Sequence, residues 1–178
     1  MLDECPDSHD HSDFAANRKF YSTVFKEHKM LAEHVPDSIH VHAFSDRLNV
    51  LHVLIMGPSG TPFDSTPFYF TFVLGSDYPE KPPEARYICG LFTRATQSQS
   101  LSKWKSLHKF ARHVGVETWN PAKSNILQVL LSIQALILVP EPYYNEAGYE
   151  SRKQQTEMVD RSKRYNETAT INSLEYLL

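Results

Sequence analysis

The chain has 178 residues, 41% hydrophobic and 12% aromatic, which is enough for one compact domain with a substantial core. A formal net charge of −3 gives no overall electrostatic basis for binding nucleic acid or an anionic membrane, so neither partner is predicted. Cys5 and Cys89 form neither a disulfide framework nor a zinc-ligand spacing, and no apolar N-terminal segment indicates export. We therefore expect a cytoplasmic or nuclear protein.

Residues 1–12 are predicted to be a disordered tail, and residues 13–178 to be the folded domain. The tail carries acids, histidine and serine but hardly any apolar side chain, so it cannot bury enough surface to offset the entropy of ordering. His9 and His11 stand beside acids, but the four ligands that a zinc ion needs are not visible. We predict no metal and no cofactor.

The first element of the domain is predicted to be an amphipathic helix from Asp13 to His34, ended by Val35-Pro36. Its apolar residues recur at helical spacing between charged ones, which predicts that they face a sheet. These residues are Tyr21, Val24, Phe25 and Leu31.

Four strands are predicted next, at Ile39 to Ala43, Leu48 to Met56, Phe68 to Leu74 and Ala85 to Ile88. The short connections between them favour a meander, and therefore an antiparallel sheet. The second strand is apolar on both faces, which indicates an interior strand or one covered on both sides.

Two histidines of the first predicted strand, His40 and His42, point the same way, and such a pair can bind a metal. No Cys, Asp or third His stands in register with them. We therefore interpret them as surface histidines.

The stretch from Ser124 to Val139 is apolar on nearly all sides and stops at Pro140. It is too short to span a bilayer, which takes about 20 residues, so we predict a buried helix against the sheet. A final helix is predicted through Leu174 and Leu178.

The turns between these elements carry the most specific pattern. Gly57-Pro58 and Gly60 to Pro62 precede the aromatic strand, and Tyr78-Pro79-Glu80-Lys81-Pro82-Pro83 follows it. This order resembles the core of ubiquitin-conjugating enzymes, which have a G-P-x-x-T-P-[YF] turn, an aromatic strand and then Y-P-x-x-P-P. The resemblance implies an α+β ubiquitin-conjugating fold with a four-stranded antiparallel meander, a buried central helix and C-terminal helices.

The C-terminal half resembles one branch of that family, the large hybrid enzymes that combine conjugating and ligase activities. The stretch from Trp119 to Glu150 is similar to theirs, above all Pro142-Tyr143-Tyr144-Asn145-Glu146 followed by Gly148-Tyr149. Arg164-Tyr165-Asn166-Glu167 continues the likeness.

The resemblance implies a transferase that carries ubiquitin as a cysteine thioester and passes it to a lysine, with ubiquitin, the ubiquitin-activating enzyme and ubiquitin ligases as partners. The family places an H-P-N or N-P-N tripeptide, and then the cysteine, between the fourth strand and the buried helix. The matching segment here, Gly90 to Val116, contains neither cysteine nor asparagine. We therefore assign no catalytic residue.

The remaining candidates in this region carry no catalytic chemistry. Cys89 ends the fourth predicted strand, upstream of the missing tripeptide, and a small buried thiol is the commoner role there. Cys5 stands in the tail.

The basic run around Trp104 and Phe110 superficially suggests a nucleic-acid patch, but nothing else supports it and we interpret it as a charged surface. The run consists of Lys103, Lys105, Lys109 and Arg112.

Two hypotheses therefore stay open: a catalyst whose nucleophile is missing only from the written sequence, and a non-catalytic variant that binds ubiquitin, a ligase or another conjugating enzyme. Residues 97–114, Gln97 to Val114, bear on the choice. A nucleotide sequence can be written that encodes these residues in one frame. When the same sequence is read one nucleotide later, it encodes Asn-Pro-Asn-Leu-Tyr-Gln-Asn-Gly-Lys-Val-Cys-Thr-Ser-Leu-Leu-Gly-Thr-Trp. This string resembles the active-site segment of the hybrid enzymes, and its cysteine codon would span Leu107 and His108. A frameshifted segment is thus one explanation of the missing cysteine.

The Y-P-x-x-P-P loop also departs from the family. Many members have an aromatic residue there that inserts into a groove of certain ligases, whereas this chain has Glu80. Burying an unpaired carboxylate in an apolar groove costs several kcal/mol as an order of magnitude. We expect no ligase binding through that groove, and tight binding that Glu80→Ala abolishes would contradict this.

Overall fold

The computed structural model describes residues 10–88, 119–145 and 148–177. Within these ranges the chain forms three α-helices and a sheet, and the predicted α+β ubiquitin-conjugating fold is confirmed. The helices and strands are α1 (Asp10–His34), β1 (Ile39–Ala43), β2 (Val50–Met56), β3 (Pro67–Val73), β4 (Glu84–Ile88), α2 (Ile126–Leu136) and α3 (Thr156–Leu177), with 3-10 turns at Pro142–Asn145 and Glu150–Arg152.

The sheet is an antiparallel meander with the strand order β1-β2-β3-β4, as predicted. At its centre, Phe70 of β3 pairs with Val53 of β2 on one side and with Tyr87 of β4 on the other. The interior position predicted for β2 is confirmed. β1 pairs within the sheet with β2 alone and is therefore an edge strand.

The core lies on the inner face of the sheet. The alternating residues Phe68, Phe70, Phe72 and Leu74 are each at most 1% exposed, because a strand sends every second side chain to the same face. Buried side chains of both α1 and α2 join them in one cluster, and α1 also packs against α2.

The predicted apolar face of α1 is partly wrong. Val24 and Leu31 are buried, but Tyr21 is 45% exposed and Phe25 is 57% exposed. One turn of a helix takes 3.6 residues, so the stripe through positions 24 and 31 also contains position 27 and leaves positions 21 and 25 to one side. The residue at position 27 is Glu27, whose exposure is only 6%.

The predicted helix against the sheet is confirmed as α2, but its apolar character on nearly all sides does not correspond to burial on all sides. The sheet and α1 cover a single stripe of the helix, so its outer side chains Leu131 and Leu136 are 40% and 55% exposed. The buried stripe consists of Ile126, Val129, Leu130 and Ile133. The helix is shorter than the predicted Ser124 to Val139 because Asn125 caps its start and its C-cap is Ile137.

Other boundaries differ by one to three residues at an end, as helix α1 shows by beginning at Asp10 and not Asp13. β2 begins at Val50 because residues before it form a turn in which Val50 N donates to Arg47 O at 3.0 Å.

Residues 1–9 of the predicted tail, Cys89 and the atypical segment 90–116 lie outside the described residues. Within the described ranges, no helix has both the length and the apolar character needed to cross a membrane.

Candidate functional site

A buried carboxylate lies between α1, the Tyr78-Pro79 loop and α2. The Tyr78 hydroxyl donates a hydrogen bond of 2.5 Å to Oε1 of Glu27. The backbone N–H of Ile126, at the start of α2, donates to Oε2 of Glu27 at 3.1 Å. Each oxygen of the buried carboxylate therefore has a donor, which is what makes its burial tolerable.

The start of α2 suits a carboxylate for a second reason. The first N–H groups of a helix lack partners inside the helix, and the helix dipole makes this end electropositive. The Asn125 side chain accepts from Gln128 N at 2.9 Å, and Glu27 accepts from Ile126 N. Glu27 thus supplements the N-cap of α2 from another helix, and so fixes α1 and α2 to each other.

Burial raises the pKa of Tyr78, and its hydrogen bond to Glu27 raises that pKa further. Both effects disfavour the phenolate, because it would lose water and would face a carboxylate. Tyr78 therefore remains a neutral hydrogen-bond donor at physiological pH.

Trp119 closes the site on the other side of the loop. Its Nε1 donates to Pro79 O at 2.7 Å, and its ring centroid lies 5.7 Å from that of Tyr78. The Tyr78-Pro79 peptide bond is cis. Trp119 is thus anchored to the same loop that holds Glu27, one residue after the undescribed segment ends.

The chain then turns towards α2 around Asn120. The Asn120 side chain accepts from Ala122 N at 3.0 Å, while its backbone carbonyl accepts from Ser124 N at 2.7 Å. Asn120 N in turn donates to the Ser124 hydroxyl at 2.9 Å. This local network sets the path from Trp119 into the helix.

The Tyr78-Pro79 loop presents Glu80 to solvent. The next residue, Lys81, forms an ion pair with Asp77 at 2.6 Å, which lowers the pKa of Asp77 and raises that of Lys81. The predicted absence of ligase binding through this loop stays a prediction.

The turn before β3 is held by two backbone hydrogen bonds to Gly57. Gly57 N donates to Thr66 O at 2.8 Å, and Ser65 N donates to Gly57 O at 3.2 Å. Asp64 accepts from the hydroxyls of Ser59 and Ser65, and the hydrogen bond from Ser65 is the main cause of its lowered pKa. The Gly57-Pro58 motif therefore forms a closed loop beside the sheet.

The tyrosine-rich motif connects the end of α2 to α3. The Tyr143 ring lies 5.0 Å from the Tyr149 ring and 6.0 Å from the Tyr165 ring, measured between centroids. Asn145 Nδ2 donates to Leu136 O at 2.9 Å, and Asn166 Nδ2 donates to Pro140 O at 2.8 Å. The two stretches that resemble the hybrid enzymes thus pack together.

The strand histidines are exposed as predicted, but the prediction that no third histidine stands in register with them is wrong, because His52 of β2 lies directly opposite His42. His40 and His42 are exposed on the outer face of the sheet, and the rings of His42 and His52 each lie edge-on to Phe44, at 4.9 and 4.8 Å. In the described part of the chain, no three His, Cys, Asp or Glu side chains are grouped to hold a metal ion.

Sequence reasoning missed Glu27 as a residue of this site. On the sequence alone, Glu27 is one of the charged residues that stand between the apolar positions of α1. The signal was its spacing, because Glu27 stands three residues after Val24 and four before Leu31, on the face that is buried.

The fold and the two proline-containing turns define a domain of the conjugating type, and comparison with known proteins agrees. The sequence profile of the family described as "Ubiquitin-conjugating enzyme" matches residues 23–171. The chain belongs to the ubiquitin-conjugating enzyme family.

Individual relatives cover most of the chain. It is 38% identical over 162 residues to "Probable ubiquitin-conjugating enzyme E2 23" of Arabidopsis thaliana, which is 86% of this chain and 14% of that protein. It is 34% identical over 166 residues to "Putative ubiquitin-conjugating enzyme E2 39" of the same plant, 89% of this chain and 50% of that protein.

A relative of the hybrid type is also similar. The chain is 34% identical over 140 residues to "Dual E2 ubiquitin-conjugating enzyme/E3 ubiquitin-protein ligase BIRC6" of Homo sapiens, which is 72% of this chain and 3% of that protein. The chain thus spans half or less of each of these three relatives.

Proposed function

We propose that this chain, as its sequence is written, acts in the ubiquitin pathway without forming a ubiquitin thioester, as a binding module for ubiquitin, a ligase or another conjugating enzyme. The observation that carries the proposal is the cysteine count. Only Cys5 and Cys89 are present, and the segment in which the family has its nucleophile contains none. A thioester forms by attack of a cysteine thiolate, and no side chain other than cysteine has a thiol.

The described structure supports a binding role because the framework around the missing chemistry is intact. The Glu27, Tyr78 and Ile126 contacts, the Trp119 anchor and the Gly57 turn are all formed. These contacts form without a catalytic cysteine, so the described framework of a binding module does not require one.

The first test is a loading assay with ubiquitin-activating enzyme, ATP and ubiquitin. We expect no band that a thiol reductant removes, while a competent conjugating enzyme in a parallel reaction gives one. Variants Cys89→Ser and Cys5→Ser serve as matched controls. A reductant-sensitive band that disappears in Cys89→Ser would contradict the proposal.

The binding role needs its own measurement, since absent loading is not evidence of binding. Titration of isotope-labelled protein with ubiquitin, followed by NMR, should give saturable shifts. A ubiquitin-loaded conjugating enzyme and a ligase domain are titrated in the same way. Failure of all three partners to bind would refute the module.

The second candidate is an active conjugating enzyme of the hybrid type whose coding sequence was read out of frame over residues 97–114. The stretch after this segment resembles the hybrid enzymes and the stretch before it resembles the family as a whole. One permitted choice of codons for the segment encodes, in the shifted frame, the N-P-N tripeptide and a cysteine. Sequencing the transcript tests this directly. We expect TGC across the codons of Leu107 and His108, one nucleotide out of frame, because every histidine codon begins with C. Any other string at that position eliminates the second candidate.

A further inference from the structure

The edge strand β1 has backbone groups that point away from the sheet. Met56 N donates to Ser38 O at 2.8 Å, which makes Ser38 and Met56 a hydrogen-bonded pair. Pairs alternate along an antiparallel ladder, so Val41 and Ala43 fall in pairs whose N–H and C=O groups point away from β2. No hydrogen bond joins these outward groups to another described residue.

The first outward group of the strand agrees with this assignment. Ile39 belongs to the same alternating set, and its N–H donates to Pro36 O at 2.9 Å and not to β2. The N–H and C=O of Val41 and the N–H of Ala43 therefore remain available to form hydrogen bonds with a further strand.

A groove of about 470 Å³ lies beside this edge, between the C-terminal half of α1 and the inner face of β1. Its volume is within the range of ligand-binding clefts, which is about 300–1,000 Å³. Most of its lining residues are apolar, and His28, Asp37 and His40 are the polar ones. Leu31, Val35, Ile39 and Val41 are among the lining residues.

The groove has one acidic lining residue. Asp37, which stands just before β1, is exposed and forms no ion pair with another described residue. A basic side chain on a bound segment would complement this charge.

The edge is also poorly protected against pairing. Proteins commonly guard an exposed edge with lysine, with proline inside the strand or with a bulge. β1 has the sequence Ile-His-Val-His-Ala, and its register against β2 is continuous from Ile39 to Ala43.

We propose that the groove between α1 and β1 binds an extended peptide segment of a partner protein, which adds an antiparallel fifth strand to the edge of β1. The peptide exchanges backbone hydrogen bonds with Val41, places an aliphatic side chain in the groove and sets a lysine or arginine against Asp37. This is recognition by strand addition, in which the main chain supplies affinity and pockets for alternate side chains supply specificity. None of the groove's lining residues belongs to the Tyr78 loop, and the proposal does not depend on thioester chemistry.

The probe is an acetylated peptide amide of sequence Thr-Val-Thr-Val-Thr-Val-Thr-Lys. In an antiparallel arrangement with its central valine opposite Val41, all three valines face the groove and the C-terminal lysine lies near Asp37. We expect saturable NMR shifts at the amides of Val41 and Ala43 and in the C-terminal half of α1. The amide hydrogens of Val41 and Ala43 should also exchange more slowly when the peptide is bound.

A chemical control leaves the protein untouched. Methylation of the backbone nitrogen of the central valine removes the N–H that faces the Val41 carbonyl, so this peptide should lose at least tenfold in affinity. Equal binding of the two peptides would overturn the proposal. So would shifts confined to the outer face of the sheet around His42 and His52, or no binding of the unmodified peptide at millimolar concentration.

Two protein variants test the groove and the charge. Ala32 lines the groove and is exposed, so Ala32→Phe should fill the groove and abolish binding, whereas Ser22→Phe on the same helix should not. Asp37→Asn should weaken binding by about two- to fivefold, as expected for an exposed ion pair. Asp37→Asn should not change the affinity for a peptide in which glutamine replaces the lysine. Unchanged affinity in Ala32→Phe, or in Asp37→Asn with the lysine peptide, would contradict the model of binding.

Discussion

Replacing Glu27 by alanine is expected to lower the free energy of unfolding by about 3 kcal/mol or more. The change leaves the Tyr78 hydroxyl and the Ile126 N–H without the acceptor they have at 2.5 and 3.1 Å. A buried donor left without a partner costs about 1–3 kcal/mol, and the cavity left by the side chain adds to this. Chemical denaturation followed by circular dichroism measures the loss.

Three further variants separate the contributions. Tyr78→Phe removes one donor and should cost about 1–3 kcal/mol, because Oε1 of Glu27 is then buried without a hydrogen bond. The double variant Glu27→Ala/Tyr78→Phe should lose less stability than the sum of the losses in the two single variants, because both substitutions remove the same hydrogen bond. Glu33→Ala, an exposed position on the same helix, is the matched control and should change stability by less than about 0.5 kcal/mol. A loss in Glu27→Ala as small as in Glu33→Ala would show that the carboxylate bridge contributes nothing.

The sheet was predictable from sequence because its signal is local. Phe68, Phe70 and Phe72 alternate with less buried residues, and a strand translates that alternation directly into one buried face. The short connections then leave few topologies other than a meander. The strand ends shifted by a residue or two, since backbone turns such as that at Arg47 and Val50 decide where pairing begins.

The helices were predicted as elements but not in orientation. Counting apolar residues at helical spacing placed Tyr21 and Phe25 of α1 on the buried face, and both are exposed. Which stripe of a helix is buried depends on what packs against it, and that information is not local. The same reason explains Leu131 and Leu136 of α2, which belong to an apolar helix that only one side of the core covers.

The site was predictable in its loops and not in its polar centre. The proline and glycine patterns identify the Gly57 turn and the Tyr78-Pro79 loop, because those residues restrict or permit particular backbone angles. Glu27 carries no such signature, since a glutamate on a helix is far more often exposed. Its role depends on Tyr78 and Ile126, which stand 51 and 99 residues away along the chain.

Gly57 is expected to be the least replaceable glycine in the described part of the chain. A Cβ built on Gly57 would lie 1.8 Å from the backbone oxygen of Phe63, far inside van der Waals contact. The obstacle is backbone, so it cannot rotate away as a side chain could. Relief requires the turn to open, which would strain the hydrogen bonds of Gly57 with Thr66 and Ser65. Gly57→Ala should therefore destabilise the domain by about 3–5 kcal/mol, at the upper end for single substitutions.

Gly60, in the same turn, provides the matched comparison. It has φ +75° but open space around the position of a Cβ, so Gly60→Ala meets only the backbone cost of the left-handed region. That cost is about 1–2 kcal/mol. Thermal unfolding of both variants beside the unmodified protein distinguishes steric overlap from backbone strain. The prediction requires a clearly larger loss in Gly57→Ala; equal losses would mean that the turn yields to the extra carbon and that the close approach to Phe63 is not what selects glycine there.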